Sequence, residues 1–319
     1  MQNALYLLLG IAVLTAGGEV LIRGALGIGR KIGVSPLLAG LVIAGFGTSM
    51  PEMVVSVDAT LSGNPDIAIG NVVGSNVANI LLILGLCAII MPLSVTPTAL
   101  GRDTVVVILV SALFIALARG AGLVHLEGLL LLAVLASYLA WAYWSEKHRP
   151  APAGAVYQAE AAEVQVVPGS VARSTVATLL GLVLLIAGSR ILLKGAVGFA
   201  QVLGVSEAVI GLTLVAVGTS LPELTTSVVA ALRRHADVAV GNILGSNIFN
   251  LLGILGVTAL VQPLRVSGRI AAFDQWVMLG VALVLFLFLY TGRRLSRTEG
   301  GILLAGYCAY VFVSYTAVT

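Results

Sequence analysis

Apolar residues fall into ten runs separated by short polar breaks, roughly 3–24, 34–62, 67–91, 103–119, 124–144, 174–195, 205–232, 238–261, 271–291 and 299–317. Most are long enough to cross a hydrocarbon core about 30 Å thick as a helix. The pattern predicts an all-α polytopic membrane protein of ten transmembrane helices. The second, third, seventh and eighth runs are interrupted by Gly, Pro, Asn and Glu. The longest polar stretch begins at Ser145-Glu146-Lys147-His148-Arg149-Pro150 and passes through Ala, Pro and Glu to Arg173. It reads as a flexible linker. It divides the chain into a five-helix repeat over 1–145, a linker over 146–173 and a second five-helix repeat over 174–319.

The two halves carry one segment twice, at a constant offset of 171 residues and without a gap. The first copy runs Gly47-Thr48-Ser49-Met50-Pro51-Glu52, then Gly70-Asn71-Val72-Val73-Gly74-Ser75-Asn76-Val77-Ala78-Asn79. The second runs Gly218-Thr219-Ser220-Leu221-Pro222-Glu223, then Gly241-Asn242-Ile243-Leu244-Gly245-Ser246-Asn247-Ile248-Phe249-Asn250. At the same offset Gly17, Gly24, Gly33, Ser35 and Gly40 match Gly188, Gly195, Gly204, Ser206 and Gly211, and Pro92 and Asp103 match Pro263 and Asp274. An odd number of helices per repeat sends the second half in from the opposite side, so the repeats are expected to be inverted.

Composition agrees with a membrane chain: 59% of residues are hydrophobic and 10% charged, where a soluble domain is nearer a quarter charged. The net charge of +3 decides little, and there is no basic tract to bind nucleic acid. The placement of Lys and Arg decides more. With both termini outside, twelve of the 17 basic residues fall on the inside and five outside. That bias supports a cytoplasmic linker. No Lys or Arg precedes the first apolar run, and the first basic residue, Arg23, stands at its far end. This is the charge order of a retained helix rather than a signal peptide. Cys87 and Cys308 lie inside apolar runs and read as buried small hydrophobes.

The chemistry sits in the repeated segment. A carboxylate in mid-membrane is costly unless a cation or proton compensates it. Glu52 and Glu223 are two such carboxylates in equivalent positions, with no Lys or Arg near either in sequence. Pro in a helix interior removes a hydrogen bond to the carbonyl four residues back, so Pro51 and Pro222 are expected to free the carbonyls of Gly47 and Gly218. Carbonyl, carboxylate and hydroxyl oxygens are the donors that hard cations such as Ca2+ prefer. Ser75 and Asn79 share a helix face, as do Ser246 and Asn250, and Gly74 and Gly245 allow close helix approach. Broken helices are therefore expected at a central site, with Glu52, Asn79, Glu223 and Asn250 pointing inward. Two ionised glutamates carry about −2, matched by one Ca2+, two or more Na+, or protons, and close carboxylates resist joint ionisation. That competition suggests exchange.

Plainer roles exist for several residues. Asn71 and Asn242 suit helix–helix hydrogen bonds, and the motif hydroxyls could merely satisfy a kinked backbone. Asp66, Asp237, Asp103 and Asp274 look like helix-start residues. Asp58, which pairs with Val229 and breaks the symmetry, reads as a solvated helix end, with a vestibule charge as the alternative. Glu19 and Arg23 read as a structural pair, and His125, His148 and His235 as solvated.

At these residues the chain resembles the Ca2+/cation antiporter superfamily, nearest the prokaryotic sodium/calcium exchangers. The doubled GTS-x-PE and GN-x-x-GSN-x-x-N pattern is highly specific. The resemblance implies a secondary antiporter, not an enzyme, with Ca2+ and Na+ as transported ions and no organic cofactor. It implies a central Ca2+ position formed by Glu52, Glu223 and the carbonyls of Thr48 and Thr219, completed by Asn79 and Asn250. It implies flanking Na+ positions using Ser49, Ser75, Ser220 and Ser246, with carbonyls of Gly45 and Ala216. It also implies Na+ inflow driving Ca2+ export, with the first and sixth helices sliding. Some relatives, potassium-dependent ones among them, carry Asp where this chain has Asn250, so potassium independence is expected. Proton-coupled Ca2+ antiport on the same fold is the alternative. That branch usually carries an acidic residue after its GN element, which both copies here lack. An intramembrane enzyme lacks its expected context, such as HExxH or a Ser/His pair, and the duplication favours alternating access over chemistry; a channel would need the carboxylate-centred site open to both sides at once, which single-channel currents would reveal. Membrane lipid is the expected surrounding, and no obligatory protein partner is evident.

Overall fold

The computed structural model describes residues 2–31, 47–94, 102–119, 122–148, 170–266 and 268–316. Its helices are α1 (Gln2–Lys31), α2 (Met50–Leu61), α3 (Pro65–Ile90), α4 (Thr104–Ala118), α5 (His125–His148), α6 (Val171–Leu203), α7 (Glu207–Thr219) and α8 (Leu221–Leu232). Then come α9 (Ala236–Phe249, continuing through Asn250–Ile254 and Leu255–Val261), α10 (Ile270–Gly292) and α11 (Arg297–Thr316). Six of these are long and apolar enough to cross a membrane, and the bent pair α7–α8 makes a seventh. Helix α4, at 15 residues, is shorter than a full span.

The chain is mostly helical, but not wholly so. Leu93–Ser94 pairs antiparallel with Arg294–Leu295, and Leu123 exchanges backbone bonds with Leu264 at 2.8 and 2.9 Å. Helix boundaries also run past the apolar runs. Helix α6 starts where the Ser170 hydroxyl accepts from Arg173 N at 3.4 Å, and it stops at Gly204, which has φ +65°. It therefore extends beyond 174–195 at both ends, because Ala196 and Ala200 bury a further face.

Burial sorts the helices. The apolar windows of α3 and α9 are 78% and 83% buried, whereas those of α1, α5, α6 and α10 are 22–39% buried. Helices α3 and α9 thus form the core. The outer helices expose large side chains such as Leu8, Leu129, Leu179 and Leu287, the surface that lipid covers. Cys87 is buried, as expected. Cys308 is exposed; it lies on the outer face of α11, so apolar surroundings in sequence meant a lipid-facing position rather than a packed one.

Helices α1 and α6 run antiparallel in close contact. Gly10, Gly17 and Gly24 recur every seven residues on α1, and Gly181, Gly188 and Gly195 do so on α6. A Cβ on Gly10 would lie 2.6 Å from Leu192 N, one on Gly17 2.9 Å from Leu185 N, and one on Gly188 2.8 Å from Leu14 N. Leucines of each helix therefore sit against the glycines of the other, backbone to side chain, at a separation only glycine permits. Gly10→Ala or Gly188→Ala should cost about 1–3 kcal/mol, since the clash is with backbone. Gly280→Ala, where nothing lies within 4 Å, should be neutral or slightly stabilising. Thermal unfolding in detergent separates the two outcomes.

Several charged residues are more engaged than expected. Glu19 and Arg23 do pair on the surface of α1. Asp58 is not a free helix end: its side chain, 16% exposed, lines a surface pocket, accepts from Ser189 Oγ at 2.9 Å and lies 4.0 Å from Arg190 Nε. Packing of α2 against α6 partly buries it, which a one-dimensional reading does not reveal. Asp66 stands in the first turn of α3, but Asn64 occupies the N-cap position and makes no side-chain cap. Asp103 and Asp274 do precede the regular parts of α4 and α10, yet both are buried in ion pairs, with Arg102 at 2.6 Å and Arg269 at 3.1 Å.

Candidate functional site

The backbone breaks at the repeated segment. Helices α7 and α8 meet at 49° around Ser220. Ser49 and Ser220 share one conformation, φ −88°, ψ 9° and φ −81°, ψ 11°, in the sparsely populated bridge region. A new helix begins immediately after each. Pro51 and Pro222 occupy its first turn, where a missing N–H costs nothing. Proline therefore starts a helix here rather than kinking a helix interior, a correction to the expected geometry that still leaves the helix broken. Glu52 and Glu223 also fall in these first turns, where the helix dipole favours negative charge.

The two motifs hold each other crosswise. Ser49 Oγ donates to Glu223 Oε1 at 2.9 Å, and Ser220 Oγ donates to Glu52 Oε1 at 2.9 Å. Both glutamates are fully buried. Ser246 Oγ lies 3.4 Å from Glu223 Oε1 and 3.4 Å from Thr48 Oγ1. Thr219 Oγ1 donates to Asn71 Oδ1 at 3.0 Å and also reaches Val215 O and Ala216 O. Ser75 Oγ faces Ala216 O at 3.5 Å, a carbonyl that accepts from Ser220 N at 3.0 Å as well. Asn79 Nδ2 donates to Asn247 Oδ1 at 2.9 Å. Gly45 lies outside the described residues. Of the other residues expected at the site, Asn250 is buried with neither side-chain polar atom partnered, and the rest make the bonds given above.

Asn71 and Asn242 take the helix-tying role expected of them. Asn71 Nδ2 reaches Ser56 Oγ at 3.0 Å, and Asn242 Nδ2 reaches Ser227 Oγ at 3.1 Å. Gly74 of α3 abuts the Leu212 backbone of α7, with no room for a Cβ. Immediately after the Ser-bearing turns, α3 and α9 widen into π-helical turns, Asn79–Leu84 and Asn250–Ile254. Such turns re-aim side chains and recur at functional sites. In both copies the turn begins at the motif's last Asn.

The unpartnered atoms are concentrated here. Among the described residues, nine buried side-chain N or O atoms lack a hydrogen-bond partner, and seven of them belong to the two motifs. They include Glu52 Oε2, Glu223 Oε2, Asn79 Oδ1, Asn250 Oδ1 and Asn76 Oδ1. Each glutamate thus fixes one oxygen on a serine of the other copy and leaves its second oxygen unpartnered. Buried oxygens are normally satisfied, so a cluster of unsatisfied acceptors around two carboxylates is chemically suited to a cation.

The sequence profile described as "Sodium/calcium exchanger protein" matches residues 3–144 and 173–316. The chain belongs to this family. This sodium/calcium exchanger family member is 39% identical to the putative antiporter CaxA of Alkalimonas amylolytica, over 98% of each chain. It is 31% identical to the sodium/calcium exchanger MaX1 of Methanosarcina acetivorans, again over 98% of each. Its structure is similar to that of the sodium-calcium exchanger NCX_Mj, with TM-score 0.64 and 32% identity over 98% of this chain and 99% of that one. The resemblance carried by the doubled motif is thereby borne out, and the protein is an integral, multi-pass membrane protein.

In this exchanger-family protein one pair was missed from sequence. Asn247 reaches across to the first copy: its Nδ2 lies 3.4 Å from Asn76 O and its Oδ1 receives Asn79, whereas Asn76 Nδ2 donates to Val72 O of its own helix at 2.7 Å. Both stand inside the quoted motif, and their equivalence at the 171-residue offset was the available signal.

Proposed function

We propose that the protein is a secondary antiporter that exchanges Na+ for Ca2+, with Na+ inflow driving Ca2+ export by alternating access. The observation that carries this reading is the crosswise pair of buried glutamates, each with one oxygen braced by the other copy's serine and one unpartnered. A site built equally from both copies is the arrangement that can face either side in turn. The fold that goes with it has ten transmembrane helices in two inverted five-helix repeats, 1–145 and 174–319, joined by a cytoplasmic linker, with both termini outside.

In this reading Glu52, Glu223, Asn79, Asn250 and the carbonyls of Thr48 and Thr219 hold Ca2+. Ser49, Ser75, Ser220 and Ser246, with the carbonyls of Gly45 and Ala216, hold Na+. The hydroxyls that now brace the glutamates would turn towards the cation, which suits the long 3.4–3.5 Å contacts of Ser246 and Ser75. The donor set is all oxygen, as hard cations require. The close glycine seam locks α1 to α6, so that the pair can move as one unit against the core.

Sealed vesicles reconstituted with the protein test this directly. An imposed Na+ gradient should drive Ca2+ uptake, while K+ or proton gradients at fixed Na+ should not. Ca2+ uptake driven by the proton gradient alone would overturn Na+ coupling. Currents without exchange would overturn antiport altogether.

A further inference from the structure

The two copies carry matching residues here, yet they do not make matching bonds. Thr219 Oγ1 donates to Asn71 Oδ1 at 3.0 Å, and Asn79 Nδ2 donates to Asn247 Oδ1 at 2.9 Å. At the 171-residue offset the counterparts of these pairs are Thr48 with Asn242 and Asn250 with Asn76. Neither counterpart pair is bonded: Asn242 Oδ1, Asn76 Oδ1 and both polar atoms of Asn250 lack a partner among the described residues. Thr48 Oγ1 faces Ser246 Oγ at 3.4 Å instead, and Asn76 Nδ2 turns back to Val72 O at 2.7 Å. The three asparagine side chains are buried.

A cation accounts for unpartnered oxygens, but not for all of these atoms. Asn250 Nδ2 is a donor, which a cation repels. Whichever way that amide is turned, one of its two atoms is an N–H₂ without an acceptor. The amide of Asn242 is held in place, since its Nδ2 donates to Ser227 Oγ at 3.1 Å just as Asn71 Nδ2 donates to Ser56 Oγ at 3.0 Å. The donor end is thus tied in both copies, and the acceptor end is used in one. Buried groups of this kind are costly unless satisfied. Bonds from Thr48 to Asn242 and from Asn250 to Asn76 would satisfy them with the chemistry already used by the other pair. Asn79 Oδ1 stays unpartnered in the set that is made, and Asn250 Oδ1 would stay so in the other, free in each case for an ion.

We propose, resting on the antiporter reading above, that these are two alternative hydrogen-bond sets of which the structure holds one. Asn71, Asn76, Asn242 and Asn247 are then positioning residues. Thr219–Asn71 and Asn79–Asn247 hold one access state, and Thr48–Asn242 with Asn250–Asn76 hold the opposite one. Inverted copies make the two sets alike in composition, so the bonds given up in one state are replaced in the other.

Thr219→Val removes a bond of the set that is made, and Thr48→Val a bond of the opposite set; valine keeps the shape and the backbone carbonyl. The test uses the full-length protein reconstituted in one orientation, with half-saturating Ca2+ measured from each face by isotopic Ca2+–Ca2+ exchange. Apparent affinity at a face scales with the population open to it, so the ratio of the two half-saturation values reads the balance between states. Each variant should move that ratio about fivefold, in opposite directions, and the double variant should return it close to the parent value. Asn247→Ala should act in the direction of Thr219→Val, and Asn76→Ala in that of Thr48→Val. A purely structural role would lower Tm and total flux and leave the ratio in place. A ratio unmoved in both threonine variants, or moved the same way by both, overturns the two-set assignment and leaves the antiporter reading standing. Parent vesicles without any Ca2+ self-exchange overturn both.

Discussion

Glu52→Gln and Glu223→Gln should each reduce Na+-driven Ca2+ flux at least about a hundredfold, equivalent to some 2.7 kcal/mol of lost cation stabilisation, while leaving a folded protein. The two halves of that expectation come from different oxygens. Oε1 of each glutamate accepts a hydrogen bond from the opposite serine at 2.9 Å. A glutamine oxygen accepts the same bond, so the brace between the copies survives. Oε2 has no partner, and there the substitution puts an amide N–H₂ in place of an anionic oxygen. A donor cannot ligate Ca2+, and the charge that attracts the ion is halved. The crosswise symmetry adds a sharper requirement: the two substitutions should be nearly equivalent. Isotopic Ca2+ uptake into vesicles, paired with unfolding curves for the same preparations, reads both halves. Normal transport by both variants would remove the glutamates from the site. Unfolding of both would show that their role is structural.

The sequence made the site's membership legible because duplication supplied a second reading of every residue. Glu52 and Glu223 stand out as carboxylates in apolar runs, and the 171-residue offset shows that neither is accidental. What it could not show is which oxygen meets which hydroxyl. Spacing places residues on one face of one helix, whereas Ser49 to Glu223 and Ser220 to Glu52 are contacts between copies 174 and 168 residues apart. The same limit explains Asn247, whose side-chain contacts also cross between copies. It explains Asp58 too, which is partly buried by a helix that sequence gives no reason to place beside it. Proline was misread for a local reason. The rule for helix interiors was applied, but in the second copy Ser220 breaks the helix two residues earlier, and Pro222 falls in the first turn of the next one. The glycines every seven residues on α1 and α6 were present in the sequence. Their meaning needed the antiparallel pairing, in which all but Gly24, which meets Thr178, receive a leucine of the other helix.

Arg269→Ala should destabilise the protein by about 3–5 kcal/mol, the cost of leaving a buried charge without its partner, with no loss of flux per folded molecule. Arg269 Nε lies 3.2 and 3.1 Å from the two oxygens of Asp274, a side chain closed to solvent. Its other nitrogens donate to Val313 O at 3.2 Å, Ser314 O at 3.0 Å and Ser314 Oγ at 3.0 Å. Tyr310 OH completes the carboxylate's contacts at 3.1 Å. One guanidinium therefore neutralises the start of α10 and satisfies carbonyls in the last turns of α11, where a cation is favoured by the helix dipole. Lysine, a point donor without the fork, should restore the charge but only some of the hydrogen bonds. Removing both charges distinguishes pairing from packing. Arg269→Ala with Asp274→Asn should recover much of the loss, because a neutral amide can still accept from Tyr310 and no buried charge is stranded. If the double variant is as unstable as the single one, the guanidinium acts by filling space and capping α11, and the buried carboxylate contributes nothing to the effect.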